Sequence, residues 1–132
     1  MPPASAAALE ALAGVARRTP HLDLLVLFGS RARGDEHPSS DWDLGYLAGD
    51  PFDPAACLGE LVSVLGTDRV DLADLARANG LIRYRAARDG RLVYEARPGA
   101  DDRFRLDAAL FWCDAAPALE HGYREVLAEL SR

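Results

Sequence analysis

Three aspartates and one turn carry most of the chemical information in this sequence. Asp41 and Asp43 form an Asp-x-Asp pair in SDWDLGYL, and Asp71 opens the segment VDLADL. Ten residues ahead of the pair, Gly29-Ser30 follows the apolar run Leu22 to Phe28, LDLLVLF. Two Asp at i and i+2 on a strand project to the same face. A third from a neighbouring strand lies within several ångströms of them. Like charges that close repel, and a bare cluster raises the pKa of its members. A divalent cation removes the conflict, and an all-oxygen donor set completed by phosphate fits Mg²⁺. Two such ions roughly 4 Å apart clamp an in-line displacement at phosphorus. In that chemistry Asp41 and Asp43 bridge both ions, while Asp71 holds the ion on the acceptor side and takes the acceptor proton.

The turn suits the same ligand. Gly29 has no Cβ, so backbone amides can approach an anion closely. Ser30 adds a hydroxyl and reads as the N-cap of a short helix, whose dipole favours negative charge. Arg31 and Arg33 in GSRARG offer planar forks that match phosphate; one of them can instead pair with an Asp and hold the loop. An Asp-x-Asp alone in an acidic chain is most often a solvated turn or cap, and Gly-Ser alone is common. Their order, with Asp71 on a later strand, is what points to phosphoryl chemistry on a nucleoside triphosphate.

The elements that must position these residues can be read coarsely. Residues Ala4 to Arg18 have helical periodicity. Leu22 to Phe28 is a strand apolar on both sides, as expected of one covered on both faces. Ser30 to Arg33 is a short helix, and Gly34 to Ser40 a loop. Asp41 to Leu47 is a second strand, with Asp41, Asp43 and Gly45 on one face and Trp42, Leu44 and Tyr46 on the other. Asp53-Pro54 opens a helix to Leu65, which Gly66 closes. Val70 to Leu75 is a third strand. Asn79-Gly80 is a turn, Leu81 to Arg88 a helix, and Arg91 to Glu95 a fourth strand. A long helix runs from Asp101 or Asp102 to about Leu130, with a kink expected at Pro117. The whole describes an α+β (α/β) fold in which a small mixed sheet is flanked by helices, as one domain over residues 1–132.

Composition removes several alternatives. All fifteen cationic residues are arginine. Without lysine there is no Walker A loop, Schiff base or lysine–AMP intermediate. A net charge of −6 argues against direct nucleic-acid binding. No apolar run reaches the roughly 20 residues of a membrane span, and no secretory leader is evident, so a soluble, cytoplasmic protein is expected. Cys57 and Cys113 fit no metal or redox spacing and read as free buried thiols. His21, His37 and His121 have no zinc spacing, although His37 falls in the loop beside the acids. Ser30 lacks the surroundings of a nucleophile elbow. Phe104, Phe111, Trp112 and Tyr123 recur at helical spacing and read first as core, then as a stripe for a partner helix; Tyr84 and Tyr94 read as structural.

The run from GSRARG through SDWDLGYL resembles the signature of the minimal nucleotidyltransferases (MNT) of the DNA polymerase β superfamily. That signature places Gly-Ser after an apolar strand, then Asp-x-Asp, then a third acid on a later strand. The match covers Leu22 to Leu75, and a single Gly precedes Ser30. The segments LIRYRAARDGRLVYE and FWCDAAP are similar to MNT-type antitoxins paired with HEPN-domain toxins. The resemblance implies nucleotidyl transfer, with ATP as the usual donor and Mg²⁺ as the metal. It assigns catalysis and metal binding to Asp41, Asp43 and Asp71, and nucleotide contact to Gly29 and Ser30, with Arg31 and Arg33 fitting the antitoxin-like run. It implies AMP transfer to a tyrosine of a HEPN ribonuclease toxin in a hetero-oligomer. Two other readings stand beside it: an antitoxin that masks its partner without chemistry, and transfer to a small-molecule hydroxyl.

Overall fold

The computed structural model describes residues 6–34, 37 and 40–112. Its elements are α1 (Ala6–Arg18), β1 (Leu22–Phe28), α2 (Ser30–Arg33), β2 (Trp42–Ala48), α3 (Pro54–Leu65), β3 (Val70–Asp74), α4 (Gly80–Asp89) and β4 (Arg91–Glu95). A further helix, α5, spans 100–112. The expected continuation to Leu130, the kink at Pro117, and Cys113, His121 and Tyr123 lie outside the described residues.

The sheet order is β3-β2-β1-β4. β1 pairs antiparallel with β2 and β4, whereas β2 and β3 run parallel. The α+β class expected from the sequence is the one observed. β1 is the centre of the fold: Leu24, Leu25, Val26 and Leu27 are all fully buried. This matches its unbroken apolar character, since both of its faces are covered.

The pleat sorts the side chains into two cores. On one face, Leu25 and Leu27 join Trp42, Leu44 and Tyr46 of β2 under α1 and α3, with Leu12, Val15, Cys57 and Leu61. On the other, Leu24 and Val26 meet Leu75, Ala86 and Phe104 from the chain around α4 and α5. The bulky alternate residues of β2 therefore pack on helices, and Asp43 and Gly45 belong to the opposite side. Gly45 is needed there because a Cβ would come within 2.8 Å of the Leu75 side chain.

Local signals explain most helix boundaries. Asp53 accepts from the Ala56 amide at 3.1 Å and caps α3, with Pro54 at its first turn. Asn79 caps α4 by accepting from Ile82 N at 2.9 Å, so the expected turn is the helix start itself. α5 is clasped to the end of α4. Arg105 donates to the carbonyls of Ala87 and Gly90 at 2.6 and 2.9 Å and pairs with Asp101 at 2.9 Å. Phe104 enters the core, Trp112 stacks on Tyr84 at 4.7 Å, and Phe111 is 43% exposed.

Candidate active site

The junction of β1 and α2 is made by Gly29 at φ 76°, ψ −160°, a conformation that side chains of L-residues avoid. A Cβ at this position would strike the Asp43 carboxylate. The N-cap of α2 is thus Gly29, with no side-chain capping bond, and Ser30 is the first helical residue rather than the cap. The reason is steric: the turn must pass directly over Asp43. α2 is a single turn, and the Ala32 and Arg33 amides bond back to the Gly29 carbonyl at 3.1 and 3.2 Å. A dipole this short contributes little to holding an anion.

Asp43 and Asp71 are register partners across the parallel β2–β3 pair. Burial, then the charges of Asp71 and Asp41, push the Asp43 carboxyl above its usual range, while Arg33 pulls it back. Asp41 stands just before β2 rather than within it, and it is exposed. That position lets it reach Arg69, whose Nε donates to Asp41 Oδ1 at 3.0 Å.

A cleft of about 550 Å³ opens over these groups, within the size range of small-ligand sites. It is lined by Phe28, Gly29, Ser30 and Arg33 around the β1–α2 turn, by His37, Ser40, Asp41, Asp43 and Arg69, and by Arg85 and Asp89 of α4. Asp71 is exposed beside the cleft, not among its lining residues. The two arginines of GSRARG divide the work. Arg33 lines the cleft. Arg31 does not: it donates from Nε and Nη2 to the Ser40 carbonyl at 3.2 and 2.9 Å and lies 4.3 Å over the Trp42 ring. It fastens the loop that precedes Asp41, to a carbonyl instead of the carboxylate considered from the sequence.

Arg69, Arg85 and Asp89 were not singled out from the sequence. Arg69 lies two residues before Asp71, so strand alternation alone would have put it on the same side. Arg85 and Asp89 reach the cleft only because α4 packs on β1. A hydrogen bond from Arg88, aided by the charges of Arg33 and Arg85, holds the Asp89 carboxyl below its usual range.

Among the described residues, no three His, Cys, Asp or Glu side chains are already gathered as a metal cage. The donor set nevertheless suits a divalent cation. Burial and two neighbouring carboxylates disfavour ionised Asp43, and Asp41 is paired with a guanidinium.

A strand-turn-acid site on a mixed four-stranded sheet defines the nucleotidyltransferase class. Residues 10–98 match the family model described as polymerase beta, nucleotidyltransferase. The chain belongs to the polymerase β nucleotidyltransferase family. It is 34% identical over 101 residues, 67% of each chain, to the protein adenylyltransferase MntA of Aphanizomenon flos-aquae. Its fold is similar to a chain in a crystal structure of a toxin–antitoxin with AMP-PNP, with TM-score 0.75, 25% identity, and coverage of 90% of this chain and 98% of that one. It has the same fold as a chain in a structure of a tri-AMPylated HEPN toxin of Shewanella oneidensis in complex with MNT antitoxin (TM-score 0.69, 23% identity, 91% and 96% covered).

Proposed function

We propose that this protein is an adenylyltransferase that moves AMP from ATP to a hydroxyl, a tyrosine by preference, of a HEPN-type toxin and so acts as its antitoxin in the cytoplasm. The observation that carries the reading is the in-register Asp43–Asp71 pair beneath the Gly29 turn, with Asp41 alongside. The relative named protein adenylyltransferase and the toxin–antitoxin neighbour with AMP-PNP support the donor, the reaction and the kind of acceptor.

Asp41, Asp43 and Asp71 would hold Mg²⁺, which supplies charge for the triphosphate and a lowered pKa for the attacking hydroxyl. The chain's own groups do the rest. Gly29 and Ser30 bring backbone close to the phosphates, and Arg33 and Arg85 place positive charge in the cleft. The acceptor oxygen forms a bond to the α-phosphorus as the bond to the bridging oxygen of the β-phosphate breaks, and pyrophosphate leaves. The acceptor proton goes to Asp71, which is exposed beside Asp43.

The experiment is transfer of label from α-labelled ATP to the product of the neighbouring gene. Wild-type protein should label it, and Asp41→Asn and Asp43→Asn should not. Normal transfer by both variants would refute the metal assignment. Neutralisation by the triple Asp→Asn variant would replace catalysis with masking.

A further inference from the structure

The contact that separates Asp41 from the other two acids has its own consequence. Arg69 and Asp41 both line the cleft, and their bond runs through Nε to a single carboxylate oxygen at 3.0 Å. The Arg69 main chain is fixed on both sides: its carbonyl accepts from Trp42 N at 2.9 Å, and its amide donates to Thr67 Oγ1 at 3.2 Å. Its side chain is not fixed, since the two partners are 56% and 48% exposed. Arg69 is thus a guanidinium on a short tether, rooted at the start of β3 two residues from Asp71.

We propose that Arg69 is a cation-dependent latch: it occupies the Asp41 carboxylate until a divalent ion displaces it, and then turns to the phosphate oxygens of the nucleotide in the same cleft. The inference rests on the assignment of the three acids to metal. Asp41 and Asp71 both add negative charge beside Asp43, and the Arg69 guanidinium offsets that of Asp41. An exposed ion pair is weak enough to exchange. A planar donor released a few ångströms from its former partner is well suited to phosphate. Loading the ion and gripping the triphosphate then become one movement, and an enzyme holding no metal keeps its phosphate donor turned aside.

Two titrations of the full chain test this, neither of which reads turnover. The first follows Mn²⁺ alone, without nucleotide, by electron paramagnetic resonance. Arg69→Gln should bind Mn²⁺ roughly two- to fivefold more tightly than wild type, the range expected for removing an exposed competitor. The second follows ATP with Mg²⁺ by calorimetry, where Arg69→Gln should bind roughly three- to tenfold more weakly. Opposite signs in the two titrations mark a latch. Arg85→Gln is the control, because it removes a cation of the same cleft that is not bonded to Asp41. If Arg85→Gln tightens Mn²⁺ as much as Arg69→Gln does, the effect is only the field of the cleft and the latch is wrong. If Arg69→Gln fails to tighten Mn²⁺, or leaves ATP affinity unchanged, the latch is likewise wrong and the metal site stands. Wild-type protein that binds no Mn²⁺, with Asp43→Asn behaving alike, overturns the metal site and the latch together.

Discussion

Asp43 and Asp71 face each other in register across the parallel β2–β3 pair, and the charge of Asp71 helps push the Asp43 carboxyl above its ordinary range. The site is therefore a place where the fold works against itself. An ionised Asp43 opposes folding, because burial and two neighbouring acids disfavour its charge.

Asp43→Asn should accordingly end AMP transfer while stabilising the metal-free protein. A carboxyl raised in the folded state imposes no penalty below its unfolded pKa. The penalty appears as pH rises through the gap between the unfolded and folded values and is complete above the folded value. The gain in Tm should be a few degrees at neutral pH, on the order of 1 kcal/mol or less, and should vanish as pH falls below the unfolded value of 3.8. Thermal melts of both proteins from pH 3 to 7 in chelator provide the measurement; a variant less stable than wild type at neutral pH contradicts the assignment.

Gly29→Ala should damage stability and chemistry together. It places a side chain at φ 76° and drives a methyl group into the Asp43 carboxylate. The expected cost is about 1–3 kcal/mol, with AMP transfer down at least about a hundredfold as the phosphate turn shifts. Denaturant melts and single-turnover labelling report the two effects separately.

Arg31→Lys should not behave as a conservative change. Arg31 grips the Ser40 carbonyl with two donors and covers the Trp42 ring. A lysine keeps the charge but loses the fork and the stacked plane. About 1–2 kcal/mol of stability should be lost, and kcat should fall more than the KM for ATP rises, since the loop ahead of Asp41 is loosened. A change confined to KM would show Arg31 in contact with nucleotide instead.

Leu44→Ala offers a purely structural comparison. Leu44 is fully buried between Trp42 and Tyr46 on the face away from the acids. A loss of about 2–5 kcal/mol is expected from the deleted methyl groups and the resulting cavity. Chemical denaturation measures it, and AMP transfer per folded molecule should stay near wild type.

Much of this was legible in the chain itself. The limits of β1 follow from an apolar run bounded by turn residues, those of β4 from Gly90 and Arg97-Pro98-Gly99 on either side, and alternation along β2 put Asp43 opposite the aromatic face. Asp53, Pro54 and Gly66 announce α3 because each satisfies a local backbone requirement. What escaped was tertiary. Nothing near Arg85 or Asp89 marks them, because they reach the cleft only through the packing of α4 on β1. The N-cap of α2 escaped for a similar reason: serine is the better cap by local rules, but the clearance over Asp43 is set by a strand more than ten residues away. The division between Arg31 and Arg33 also depends on where Trp42 and Ser40 stand in space.

The placement of Asp71 has one more implication. It lies on an edge strand, outside the walls that enclose Asp41 and Asp43. On the proposed reading a donor nucleotide would sit among the residues that line the cleft, whereas a receiving group at Asp71 would meet an exposed strand edge. Discrimination among acceptors would then come from how a whole protein seats itself on this surface. A loosely positioned side chain of the right chemistry, brought near at high enough concentration, should be modified as well.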